Sequence, residues 1–153
     1  SPLEYGLNGA RHRGEMQLDF LNKTLIADYS TGDIYELDPD VYTDNGTAIA
    51  REITGRHIFR GNDPIIVDEL YVDMETGVGL VSGQGSDPQA MLQLSRDNGH
   101  TWGNEMWTTM GAIGKYLTRV VWRRIGQSYD LLVKIRITDP VKIVINFAAM
   151  RTG

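Results

Sequence analysis

Leu131-Leu132-Val133-Lys134-Ile135-Arg136-Ile137-Thr138-Asp139-Pro140-Val141-Lys142-Ile143-Val144-Ile145-Asn146-Phe147-Ala148-Ala149 is the stretch that sets the fold class. Its apolar residues recur at every second position: Val133, Ile135 and Ile137, then Ile143, Ile145 and Phe147. Period two marks a strand with one buried face. Asp139-Pro140 separates the runs, because proline fixes its own φ and has no N–H to donate. The pattern predicts two strands paired antiparallel across that turn, their six apolar residues on one core face.

The same reading extends outward. Short β-branched and aromatic runs cover residues 25–29, 33–38, 48–54, 57–59, 65–74, 78–81, 90–95, 101–108 and 117–125. With the two runs above, this gives about ten strands, with turn signals about every 8–12 residues. The expected class is all-β and antiparallel, either a β-sandwich or a partial β-propeller of a few blades. Residues 24–38 read as strand, Ser30-Thr31-Gly32 turn, strand. A tight turn then follows at Asn45-Gly46, since both residues tolerate positive φ. The best helical candidate is a short turn at 87–92, which Asp87-Pro88 could open. Residues 82–88, rich in Ser, Gly and Asp, are the clearest loop.

With 153 residues, the expectation is a single domain over 1–153. Hydrophobic residues at 41% and charged residues at 23% exclude bulk disorder. The absence of Cys excludes disulfides, thiol nucleophiles and thiolate zinc sites. No apolar run reaches the ~18 residues of a membrane helix, and no membrane partner is expected. The start at Ser1-Pro2 suggests a piece of a longer protein. Charge is uneven: residues 1–114 hold 7 Lys and Arg against 18 Asp and Glu, and residues 115–153 hold 8 against 2. Such a split suits an electrostatic contact with another subunit or an acidic partner. The candidate interface cations are Arg119, Arg123, Arg124, Lys134, Arg136 and Lys142, with Lys134 and Arg136 together on a face away from Val133 and Ile135.

Ser95-Arg96-Asp97-Asn98-Gly99-His100-Thr101-Trp102 fits the Asp-box pattern Ser-x-Asp-x-Gly-x-Thr-Trp at its five fixed positions, Ser95, Asp97, Gly99, Thr101 and Trp102. The chemistry is turn-making: Asp97 accepts backbone N–H groups, Gly99 takes positive φ, and Trp102 covers the hairpin. The motif resembles a structural corner of sialidase propellers. No glycosidase pattern accompanies it. Adjacent Arg123 and Arg124 should point to opposite faces of a strand, which does not build an arginine cluster. Asp38, Asp40 and Asp44 miss the spacing of a calcium loop. Gly77-Val78-Gly79 is not followed by helical periodicity, so it is not a dinucleotide loop. His12, His57 and His100 form no catalytic set. Arg119, Trp122, Arg123 and Arg124 could suggest a nucleic-acid patch, but overall acidity argues against direct nucleic-acid binding. No catalytic residue, metal site or cofactor is assigned.

Residues 95–107, Met110-Gly111, Ile113-Gly114, Arg119-Val120-Val121-Trp122-Arg123-Arg124-Ile125-Gly126 and Ile137-Thr138-Asp139-Pro140-Val141-Lys142, taken together, resemble the C-terminal part of the packaged-DNA stabilisation proteins. This is the tail-hub, or head-completion, family of short-tailed, P22-like bacteriophages. Asp28-Tyr29, Ile34-Tyr35, residues 42–46 and Arg51-Glu52 are similar to the same family. The resemblance implies a non-enzymatic virion component in the phage tail, made in the host cytoplasm or encoded by a prophage. It implies homo-oligomeric assembly in the full-length protein and contacts with tail and portal-proximal proteins that close the portal and stabilise packaged DNA. The alternative is a carbohydrate-binding or sialidase-like module of a phage adhesin, motivated by the Asp-box and three Trp.

Overall fold

A computed structural model describes residues 13–153. The described residues form thirteen strands and no helix, and every ladder is antiparallel. The chain divides into two compact units, Ser1–Ile49 and Ala50–Gly153.

In the first unit, β1 (Gly14–Phe20), β2 (Lys23–Asp28) and β3 (Ile34–Leu37) make one sheet in that order. The turn after β2 is built by Asp28, a buried carboxylate. Its Oδ1 accepts the Ser30 N–H at 2.7 Å and the Ser30 hydroxyl at 2.8 Å. Arg13 lies 3.0 Å from its other oxygen. Gly32 then takes φ 78° and donates to the Asp28 carbonyl. β4 (Thr43–Asp44) and β5 (Thr47–Ala48) form the expected hairpin, with φ 45° at Asn45 and 79° at Gly46. Positive φ at both turn residues matches the twist of the flanking strands.

The second unit is a β-sandwich. One sheet runs β10 (Met106–Thr109), β9 (Gln89–Ser95), β12 (Asp130–Ile137), β6 (Arg51–Thr54), and β7 (Ile58–Phe59) also pairs with β12. The other runs β11 (Val120–Ser128), β8 (Ile65–Met74), β13 (Ile145–Thr152). Alternation sends Leu92 and Leu94 from β9 and Val133, Ile135 and Ile137 from β12 into one core. Val67, Leu70 and Val72 from β8 and Val120, Trp122 and Ile125 from β11 meet them from the other sheet. Each such side chain contributes about 1.5–3 kcal/mol by leaving water. The expected sandwich alternative therefore holds, and the strands do not form propeller blades.

Three local expectations are corrected. The last two strands do not pair: β12 lies between β9 and β6, and β13 pairs with β8 in the opposite sheet. The segment around Asp139-Pro140 is a crossing between sheets. Arg51 donates to the Val141 and Asp139 carbonyls at 2.7 and 3.0 Å, the Asp139 carboxylate accepts the Gln89 N–H at 2.7 Å, and Val141 is buried. Ile145 and Phe147 are consequently 41% and 54% exposed. The turn proposed at 87–92 is extended, because Gln89 to Leu92 are laddered to β10. Residues 78–81 are loop, not strand: Leu80 N–H bonds locally to the Gly85 carbonyl, and Gly79 lies against the backbone of Ser86 and Ile113.

Candidate functional site

The loop after β9 is a closed hydrogen-bond circuit. Ser95 is buried, and its hydroxyl donates to Asp97 Oδ1 at 2.8 Å while accepting the Gly99 N–H at 2.8 Å. Asp97 Oδ1 also accepts the Thr101 N–H at 2.8 Å, and Oδ2 accepts the Thr101 hydroxyl at 2.5 Å. Asn98 and Gly99 both hold positive φ, 65° and 87°. Gly103 closes the loop by donating to the Leu94 carbonyl at 2.8 Å. Trp102 lies under the Lys134 ammonium, 3.9 Å from the ring centroid. The five motif residues are thus brought together, and the bonds of Ser95 and Asp97 hold the turn itself.

The Thr101 hydroxyl, then the Thr101 N–H and the Ser95 hydroxyl, hold the Asp97 carboxyl down at about 2, against a smaller opposing effect of burial. A depressed folded pKa gives stability that is present above the ordinary carboxylate value and is lost as pH falls through the folded one. Asp97→Asn should lower the melting temperature at pH 7 by on the order of a few degrees. The gap from the parent chain should close between about pH 4, the unfolded value, and about 2. Parallel thermal melts across that window check this, and a gap that stays constant would refute it.

The six candidate cations do not form one patch. Arg119, Arg123 and Arg124 lie on or beside β11, whereas Lys134 and Arg136 lie on the outer face of the opposite sheet. Lys134 and Arg136 do share a face, but both are partly buried. Several cations are neutralised within the unit: Arg123 with Glu69 at 3.1 Å, Lys142 with Glu75 at 3.0 Å, and Lys134 with Glu52 at 3.7 Å. Arg119 lies over the Tyr71 ring, 5.3 Å from its centroid. Arg123 and Arg124 are not on opposite faces as alternation implies. A bulge between Arg123 and Gly126, with φ 59° at Arg124, leaves both exposed.

One cluster escaped the sequence reading. On the outer face of the β11–β8–β13 sheet, Tyr71 packs edge-on against Phe147, with ring centroids 5.9 Å apart. Asp73 accepts the Tyr71 hydroxyl at 2.8 Å and the Asn146 amide at 2.8 Å. The Asn146 and Tyr71 bonds hold the Asp73 carboxyl below its usual range, and the bond to Asp73 raises the Tyr71 hydroxyl. Residues 71, 73, 119, 146 and 147 meet only because β13 returns to β8, a pairing that local sequence does not state. His57 pairs with Asp130 at 2.9 Å, His100 sits in the 95–102 loop, and His12 lies outside the described residues.

Among curated proteins, none matches the chain. The family described as Bacteriophage P22 Gp10, beta-sandwich matches residues 50–153. That span coincides with the second compact unit, whose two facing sheets have the architecture the family description gives. The chain therefore belongs to the bacteriophage P22 Gp10 beta-sandwich family and is a structural protein of the phage virion.

Proposed function

We propose that the chain works at the tail hub, where it helps close the portal and retain packaged DNA through contacts with other tail and portal-proximal proteins. The observation that carries this reading is the family match across one complete compact unit, residues 50–153. The chemistry of the loops supports a non-catalytic role without a cofactor: Asp28 and Asp97 are engaged in building turns. Charge supports a protein contact rather than a nucleic-acid one. Unit Ser1–Ile49 carries 3 Lys and Arg against 9 Asp and Glu, a balance of −6. Unit Ala50–Gly153 carries 12 against 11, a balance of +1. Neither unit has the cationic excess that tracks a phosphate backbone.

The glycan reading has little to stand on. Trp122 is buried and Trp102 is covered by Lys134, which leaves Trp107, at 52% exposure, as an isolated platform.

Arg119 and Arg124 are the exposed candidate cations that make no ion pair among the described residues. Phage carrying Arg119→Glu with Arg124→Glu should assemble heads normally and yield about tenfold fewer DNA-retaining particles at low salt. Nuclease-protected DNA in purified particles is the readout. Normal DNA retention when the whole chain is deleted would overturn the proposal.

A further inference from the structure

Two buried apolar side chains stand apart from the core. Met91 and Leu132 are 2% and 7% exposed, yet neither belongs to the cluster between the sheets. Both lie on the outward face of the β10–β9–β12–β6 sheet. Leu132 is met by the 95–102 loop: its Cδ1 lies 3.4 Å from where a Cβ on Gly99 would be. Met91 has Trp107 beside it on β10 and Arg136 beside it on β12, and Glu52 on β6 is next to Arg136. Arg136 is the unsettled member of this row. Its Nε is buried and has no hydrogen-bond partner among the described residues. The neighbouring carboxylate is engaged elsewhere: Glu52 turns to Lys134 at 3.7 Å. On β12 and β6 this face therefore holds two cations against one anion, although buried polar groups are ordinarily paired. The polar side chains around it are already used. Gln93 Nε2 donates to the Gly103 carbonyl at 3.2 Å, and Gln89 Nε2 and the Thr109 hydroxyl donate to the Asp87 carboxylate at 3.2 and 2.6 Å.

We infer that the row Trp107–Met91–Arg136 is a docking site for a protein partner that presents a carboxylate side chain flanked by apolar residues. The inference rests on the reading of this chain as a contact protein and names the surface that makes the contact. A carboxylate is the complement of an unpaired guanidinium, because it accepts two parallel N–H bonds and cancels the charge. Tryptophan and arginine are also the side chains that most often anchor protein contacts. Trp107 is 52% exposed and stands two strand spacings from Arg136, about 10 Å, within reach of one short segment. An apolar side chain of that segment covers the indole while its carboxylate meets Arg136. A glycan would need several free donors and acceptors around the ring, and the amides and hydroxyl there are taken. A nucleic acid would need the cationic excess that this unit lacks.

The test is a titration of the isotope-labelled chain with acetyl-Leu-Glu-Leu-amide and with its Gln counterpart. NMR follows the Arg136 Nε–H and Trp107 Nε1–H resonances. The Glu peptide should shift both and bind about fivefold or more tightly than the Gln peptide, because only it forms the charged fork. Arg136→Gln should abolish that preference with the melting temperature nearly unchanged. Trp107→Ala should weaken both peptides alike and keep the preference. The comparison of the two peptides on the parent chain needs neither variant to fold. Equal binding of the two peptides, a preference that survives Arg136→Gln, or tighter binding of the acidic glycan sialyllactose at the same resonances would each overturn the inference. DNA retention in particles reads the tail-hub role and this titration reads the surface, so a failure of one is told apart from a failure of the other.

Discussion

Trp122→Ala should lower the unfolding free energy by about 3–5 kcal/mol, the largest single-residue loss in the sandwich. Trp122 is 4% exposed and lies at the centre of β11, opposite Leu70 on β8. Its ring fills the core, while its indole N–H reaches the Met106 carbonyl on the opposite sheet at 2.9 Å. Truncation therefore leaves a cavity and an unpaired carbonyl together. Trp122→Phe separates the two effects: most of the apolar volume remains, and the lost bond should cost about 1–3 kcal/mol. Urea denaturation followed by circular dichroism measures both. A loss under about 1 kcal/mol for the alanine variant would mean that the site collapses around the gap.

Gly77→Ala should be among the most damaging changes at a loop. Gly77 holds φ +76°, and a Cβ there would lie 2.8 Å from the Lys115 carbonyl carbon and from the Tyr116 nitrogen. Both are backbone atoms, so neither can rotate away. The residue also stitches two loops: its N–H donates to Met110 at 3.2 Å, and its carbonyl accepts from Gly114 at 3.0 Å. Left-handed strain and the clash together should cost about 2–4 kcal/mol. Gly114→Ala is the matched control. It has φ +82° with nothing within 4 Å of the added Cβ, so only the conformational term of about 1 kcal/mol applies. Equal effects at the two positions would show that crowding at Gly77 is relieved by loop movement.

Local chemistry was legible in the sequence wherever a strand or turn is decided by its own residues. The run at 65–74 alternates strongly and coincides with β8, and Asn45-Gly46 forms its turn because no other residues could take those angles so readily. The 95–102 loop follows its motif bond for bond. Partner choice was not legible. Val133, Ile135 and Ile137 enter the core as their period requires, but period two does not say which sheet the next strand joins. The seven residues between Ile137 and Ile145 are enough to cross the ~10 Å between packed sheets, so a hairpin and a crossing look alike in sequence. β1 is hard to see in the sequence although Met16, Leu18 and Phe20 alternate, because those side chains remain exposed and the run is interleaved with Glu15, Gln17 and Asp19. The interface cations lie close together along the chain, but the sandwich distributes them over two faces.

The bulge in β11 also bears on how this sheet avoids misfolding. Trp122 and Ile125, three residues apart, both point inward because Arg124 takes positive φ between them and Gly126 does so just after. A slip of β11 by one residue against β8 would turn Trp122 to solvent and carry an arginine into the apolar interior. It would also force the left-handed angles onto residues that resist them, β-branched Ile125 among the candidates. The kink thus behaves as a pawl. Strand sliding, the common kinetic trap of antiparallel sheets, is blocked in both directions once the kink has formed, and the zipping of β11 onto β8 can proceed from either side of it without losing count.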